Sequence, residues 1–333
     1  MSSPSTETRP PPLPLRITYA PTPAAQLLAE PNVLAVIGFG ASAQMPDDPR
    51  ALRVGLEPLQ APLFEVWRAN TAVASGRDGD LRWSRADDYL FFSIEVDEAA
   101  HGGIAAAAEH AYRTLTAFVA ASAMPHLLRL WNYLDAINLS DGDNDGDSER
   151  YRLFCDGRAR GMHAFASKPY PAATAIGRQD GVRVLQVYGL ATRHSGQPVE
   201  NPRQVSAWRY PRQYGPTAPT FARGMLTAAS QLLVSGTAAV VGHVSLHHGD
   251  LAAQIDETWA NLGSLVDQAN IDDSRFGVRS VLKAYLRDPA DAGFLANAVA
   301  TRAPSLGGLL LLAGDICRRE LLVEIDGMHP AVD

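Results

Sequence analysis

Among the acidic residues of this 333-residue chain, Glu324 has the neighbours that suit a proton donor. It stands alone in the apolar run Leu321-Leu-Val-Glu-Ile325. A strand alternates its side chains between two faces, so Glu324 points away from Val323 and Ile325 and toward a cavity. A carboxyl group taken out of water holds its proton to higher pH, as a general acid working near neutrality requires. Arginines are interleaved with aromatic residues in two stretches, one from Arg150 to Arg160 and one from Arg203 to Arg223. The planar guanidinium matches a carboxylate with two parallel hydrogen bonds. An acid of this kind beside such arginines describes proton delivery to a small anion.

Other patterns lead nowhere on inspection. Val36-Ile-Gly-Phe-Gly-Ala-Ser-Ala43 has the glycine spacing of a dinucleotide-binding turn. That turn requires a helix to begin at once, and Pro46 and Pro49 interrupt the next turns. Asp141, Asp143, Asp145 and Gly146 open like a calcium loop, but Arg152 stands where the bidentate glutamate belongs. His243, His247 and His248 lack a common helical face and a carboxylate partner, so no metal is expected. Cys155 and Cys317, the only cysteines, are far apart and outside any metal spacing, which suits a reducing cytoplasm better than a disulfide framework.

The elements that would position the acid and the arginines read as a soluble globular protein. Hydrophobic residues make up 46% and charged residues 20%, and 29 Lys and Arg face 36 Asp and Glu for a net charge of -7. The acidic balance argues against nucleic acid as a partner. No run reaches the roughly 18 apolar residues of a membrane span, and the start has no apolar segment of a signal peptide. Residues 1–14 read as a disordered leader.

Two later segments share one order. Tyr89–Val96 reads as a strand, followed by a helix over 103–122 with Ala108, Tyr112, Leu115 and Val119 on one face, and then the strand Leu127–Leu134. Leu232–Val241, a helix over 251–269 capped by Asp250, and Val278–Leu286 repeat it, with Tyr112 matching Trp259, Leu115 matching Leu262 and Val119 matching Val266. The repetition predicts two copies of one α/β unit, mixed sheets with helices on one face, divided as 15–148 and 149–333.

The second segment, with its Val-Ser-Gly strand, long helix and final Leu322-Val-Glu-Ile325, resembles the Rid/YjgF-like fold, also described as chorismate mutase-like. Five longer stretches resemble one branch of that group, the chorismatases. They are Trp131-Asn-Tyr-Leu134, Glu149-Arg-Tyr-Arg-Leu-Phe-Cys-Asp-Gly-Arg-Ala-Arg160, Arg209-Tyr-Pro-Arg-Gln-Tyr-Gly-Pro216, Ser235-Gly-Thr-Ala238 and Asp315–Ile325.

The resemblance implies an enzyme that cleaves chorismate to pyruvate without metal or organic cofactor. It implies Glu324 as the general acid, substrate binding by Tyr151, Arg158, Tyr214 and Arg223, with Tyr210 in reserve, and assembly as a monomer or homotrimer. Gly236 in the Ser-x-Thr-Ala strand and Cys317 before the Arg-Arg pair resemble the branch that forms 3-hydroxybenzoate, with 4-hydroxybenzoate as a possible companion. The alternatives are a hydrolase releasing a dihydroxycyclohexadiene carboxylate, an enamine/imine deaminase of the Rid/YjgF-like type, and a non-catalytic carboxylate sensor.

Overall fold

The computed structural model describes residues 13–140, 148–165, 169–271 and 276–330. The leader up to residue 12 and the acidic run 141–147 lie outside the described residues. Both expected helices form where the apolar spacing places them, at Ile104–Ala121 and Leu251–Gln268, and the Asp250 side chain accepts from Ala253 N at 3.0 Å at the start of the second. The strand expected over 232–241 instead breaks after Thr237, and Val240–Val241 turns away to pair with Val244–Ser245.

Sheet order confirms the α/β class and the duplication, and extends the duplication to a third, shortened copy. One unit runs Ala74–Asp78, Leu81–Ala86, Tyr89–Asp97, the helix Ile104–Ala121, His126–Asp135, the helix Arg150–Gly161, Ala172–Arg178 and Val184–Thr192. Laterally its strands lie in the order first, second, third, sixth, fourth, fifth. The next unit, Gln197–Val199, Gly224–Leu226, Gln231–Thr237, the helix Leu251–Gln268, Val281–Leu286, the helix Ala292–Arg302, Gly308–Ala313 and Val323–Pro330, has the same lateral order. In both, the fourth and fifth strands are parallel and the sixth is antiparallel to its neighbours. Ahead of them, Arg16–Ala20, Val33–Phe39, Ala51–Val54 and Phe64–Arg68 form a sheet with the order third, sixth, fourth, fifth of the same plan. This copy lacks the opening hairpin, and its helix shrinks to Ala24–Leu27.

The boundary expected at 148/149 therefore falls inside the middle unit. The helix Arg150–Gly161 and the two strands after it complete the sheet begun by residues 74–135, because Ala172–Arg178 pairs with His126–Asp135 and has no place in the later sheet. The Val33–Phe39 strand, which carries the start of the tempting glycine pattern, runs into Gly40 at φ +81° with no helix after it.

Each large sheet buries one face under its helices. Tyr112, Leu115 and Val119 pack with Phe92, Ile94 and Leu130, while Ile255, Leu262 and Val266 pack with Val234, Val323 and Ile325. The opposite faces of all three sheets meet one another around Trp67, Trp131, Tyr133, Tyr188, Tyr285 and Met328. Strand alternation thus sends Val323 and Ile325 to the helices and Glu324 and Asp326 to this central space.

Three seams close the arrangement. Gln186 Nε2 donates to Arg53 O at 2.8 Å between the first and middle units. Ala173 N donates to Ser235 Oγ at 2.9 Å between the middle and last units, and Gln60 Nε2 to Leu309 O at 2.9 Å between the last and first. At the centre, buried Lys283 forms an ion pair with Glu65 at 2.8 Å and donates to Tyr188 OH at 2.7 Å, so one ammonium touches all three units. Removing one member of a buried pair strands the other charge, whereas removing both is often nearly neutral. Lys283→Met should therefore lower stability by about 3–5 kcal/mol, and Lys283→Met with Glu65→Gln should recover most of that loss; urea unfolding of the three proteins measures it.

Candidate active site

A cavity of about 360 Å³ opens between the middle and last units. It gathers every residue singled out from the sequence: Tyr151, Arg158, Tyr214, Arg223, Gly236, Cys317 and Glu324 all line it. These seven span more than half the chain, and each reaches the cavity for a local reason.

The helix Arg150–Gly161 supplies Tyr151 and Arg158. Its start is fixed by a buried ion pair between Arg150 and Glu98 at 2.6 Å. It also lies very close to the helix Ile104–Ala121, since a Cβ on Gly157 would collide with Ala105 O and one on Gly161 with Glu109 O. Two glycines one turn apart permit this approach and hold the helix over the sheet. Arg158 is buried above the Tyr112 ring, with Cζ 5.1 Å from its centroid, and donates through Nη2 to Thr220 O at 3.0 Å. Its Nε is buried and has no partner among the described residues.

Arg223 comes from the other side. Its Nη2 donates to Val205 O at 2.9 Å and Tyr210 OH at 2.5 Å, and its Nε is likewise buried without a partner among the described residues. A buried guanidinium with an unused donor is costly unless something accepts from it. Two buried arginines lining one cavity suit a small molecule with carboxylate groups.

Glu324 is 5% exposed. Burial, then the nearby charge of Asp326, lifts its pKa to about 8, against the pull of Arg129 and Arg223. The acid thus keeps its proton through neutrality. Gly236 makes room for it, since a Cβ there would lie 2.7 Å from Glu324 Cδ and overlap Oε1. Cys317 and Tyr151 are half-buried in the cavity wall, and desolvation there, reinforced by Glu324 among other neighbours, raises both the thiol and the phenol pKa. Both groups remain protonated.

Tyr214 belongs to a cover over the cavity, where the Tyr210 and Tyr214 rings lie tilted to each other with centroids 5.5 Å apart. Arg318 clamps it, with Cζ 3.9 Å from the Tyr214 ring centroid, while its Nη1 donates to His243 O at 2.9 Å and Ser245 Oγ at 3.0 Å. Sequence reasoning did not assign Arg318, although the Arg-Arg pair after Cys317 was among the quoted stretches. It also passed over Thr174, which lines the cavity from the middle unit, and Asp326, two residues beyond Glu324 on the same strand face. Among the described residues no group of three or more His, Cys, Asp or Glu is placed to hold an ion. No helix of the described residues is long and apolar enough to cross a membrane.

Fold and site together define an α/β protein whose internally repeated units enclose a neutral acid between buried arginines. Residues 65–191, nearly the whole middle unit, match the family model described as chorismatase FkbO/Hyg5-like, N-terminal. A chorismatase of Streptomyces hygroscopicus is 34% identical over 79% of this chain and 78% of its own length. A 3-hydroxybenzoate synthase of the same organism is 30% identical over 89% of this chain and 91% of its own. A chorismatase crystal structure superimposes with a TM-score of 0.83 at 31% identity, covering 95% of this chain and 98% of the other. The chain belongs to the chorismatase family.

The thiols give a check independent of any substrate. Burial lifts Cys155 to about 12 and Cys317 higher still. Since the thiolate is the reactive form, Ellman's reagent at pH 8 should label neither in the native protein within minutes. Two thiols per chain should react in denaturant, and rapid native labelling of Cys155, the buried thiol, would contradict the burial described.

Proposed function

We propose that this protein cleaves chorismate to pyruvate and 3-hydroxybenzoate, with Glu324 as the general acid. The observation that carries the reading is the neutral buried carboxyl of Glu324 lining the same cavity as the buried arginines Arg158 and Arg223. Chorismate is a dianion with a ring carboxylate and an enolpyruvyl carboxylate, and two arginines on different units can grip the two ends. Tyr151 and Tyr214 border the bound ring. Glu324 gives its proton to the methylene carbon, the double-bond electrons form the new C–H bond, and positive charge develops on the ether-bearing carbon. A water oxygen adds there and loses a proton, and collapse of the hemiketal to the carbonyl of pyruvate breaks the ether C–O bond as the ring oxygen takes up a proton.

The two products together hold the atoms of chorismate, so any water consumed at the ether is matched by the elements of water lost as the ring aromatises. Gly236 lets the Glu324 carboxyl extend across the wall, and the protonated Cys317 thiol beside it can pass a proton during aromatisation. The resemblance over most of the chain to a 3-hydroxybenzoate synthase supports this branch. A hydrolase of the same family would instead release a dihydroxycyclohexadiene carboxylate. We also propose that the protein works as a cytoplasmic monomer, because its three repeated units already cover one another's inner faces.

Purified protein incubated with chorismate should release pyruvate, and chromatography of the exhausted reaction should show 3-hydroxybenzoate. A dihydroxycyclohexadiene acid would move the protein to the hydrolytic branch, and no pyruvate above background would refute the reading. Glu324→Gln should lower kcat by about 10²–10⁴-fold with little change in binding. In the wild type, kcat should hold below pH 8 and fall about tenfold per pH unit above it, because the donor is lost as Glu324 ionises near 8. Arg223→Ala should act mainly on KM, raising it by roughly 10–100-fold for the loss of a charge-assisted hydrogen bond.

A further inference from the structure

Asp326 is completely buried and lies on the same strand face as Glu324. Donors converge on one of its oxygens: Oδ2 accepts from Trp131 Nε1 at 3.1 Å, Thr174 Oγ1 at 2.9 Å and Tyr285 OH at 2.8 Å, with Arg129 Nη2 at 3.3 Å. Oδ1 is buried and has no partner among the described residues. A carboxylate buried only for stability gains from having both oxygens satisfied. This one is anchored from one side and leaves the other uncompensated.

The anchor is tied to the cavity. Thr174, which donates to Asp326, lines it. Tyr285 pairs directly with Glu324 across the two strands and turns its hydroxyl to Asp326. Behind Asp326, Tyr285 OH lies 3.1 Å from Tyr133 OH, which is 3.5 Å from Tyr188 OH, and Tyr188 accepts from Lys283. The charged and titratable groups facing Glu324 are Asp326 on its own strand, Arg129 and Arg223 from the neighbouring elements, and the Tyr151 phenol and Cys317 thiol across the cavity.

We propose that Asp326 is a positioning residue for the protonation step: anchored through Oδ2, it holds a fixed negative charge beside Glu324 that keeps the proton on that acid against the two arginines. The inference rests on Glu324 being the donor in the proposed reaction. Chorismate needs cations to bind, and one of them, Arg223, also draws the proton off the acid, as does Arg129 behind the wall; Asp326 offsets both without touching substrate.

The test is an infrared pH titration of protein carrying ¹³C-carboxyl glutamate, with the Glu324 carbonyl band identified by its loss in Glu324→Gln. The wild-type band should disappear with a midpoint near pH 8. In Asp326→Asn the midpoint should fall by about one pH unit or more, and the alkaline limb of kcat should move with it. Asp326→Asn leaves Arg129 buried and unpaired, so Asp326→Asn with Arg129→Met serves as the second variant. Its midpoint should lie between the other two, because Asp326 outweighs Arg129 at Glu324. An unmoved midpoint in the folded variants overturns the proposal and leaves the donor assignment standing. Full turnover in Glu324→Gln overturns the donor assignment, while the titration still reports whether Asp326 acts on Glu324.

Discussion

In the proposed reaction, an acid that must be neutral and a substrate that must be gripped by cations make opposing demands on one cavity. Each guanidinium that stabilises a bound carboxylate also stabilises the ionised form of a nearby acid. The structure meets both demands through burial of the acid and the neighbouring charge of Asp326. Arg158 and Arg223 hang from the cavity rim, attached to Thr220 O, Val205 O and Tyr210, while Glu324 sits on a central strand in the dry space between sheets. Desolvation is the largest influence on Glu324, ahead of every charge around it. The remaining architecture can be understood as what keeps that space dry.

Closing such a space is difficult for one α/β unit, because a sheet covered by helices on one face leaves the other exposed. Three repeats solve this by turning their bare faces toward one another. The meeting faces are unusually polar for a core: Lys283, Glu65, Arg129, Asp326 and a run of tyrosines are all buried there. Their hydrogen bonds join residues from different units, so the polar groups specify how the repeats dock while the apolar groups drive the closure. The expected duplication was accordingly an undercount. The first copy escapes detection in the sequence because it has lost its opening hairpin and nearly all of its helix, and the amphipathic helix is the periodic signal by which the other two are found.

Legibility in the sequence followed the range of the interaction concerned. Helix faces and strand alternation are local, and they placed Tyr112, Leu262 and the inward side of Glu324 correctly. The other six cavity residues were assigned only because family resemblance carried information about distant parts of the chain; spacing alone cannot bring Tyr151 to Cys317. The domain boundary failed because a parallel strand joins its partner across a crossover, and nothing near residue 148 marks whether the next strands go back or forward. Arg318 and Asp326 were passed over for different reasons. Arg318 acts through stacking on a cover whose shape is irregular, and Asp326 carried a legible signal, a second acid two residues from the first, whose value depends on partners from the middle unit.

The repeats also explain why the proposed chemistry falls at one seam. In the middle unit Gln186 pairs with Tyr133 across the sheet as Glu324 pairs with Tyr285 in the last, and the two tyrosine hydroxyls lie 3.1 Å apart at the centre. Gln186 cannot donate an acidic proton. Its amide instead binds Glu95 Oε1 at 2.7 Å and Arg53 O at 2.8 Å, and accepts from Gly55 N at 3.2 Å, stitching the middle unit to the first. At the corresponding place in the last unit, the carboxyl is left facing an open cavity and Gly236 clears its path. One position in a repeated scaffold thus serves as a joint in one copy and as an acid in another. The difference lies in whether its side chain is given partners or denied them.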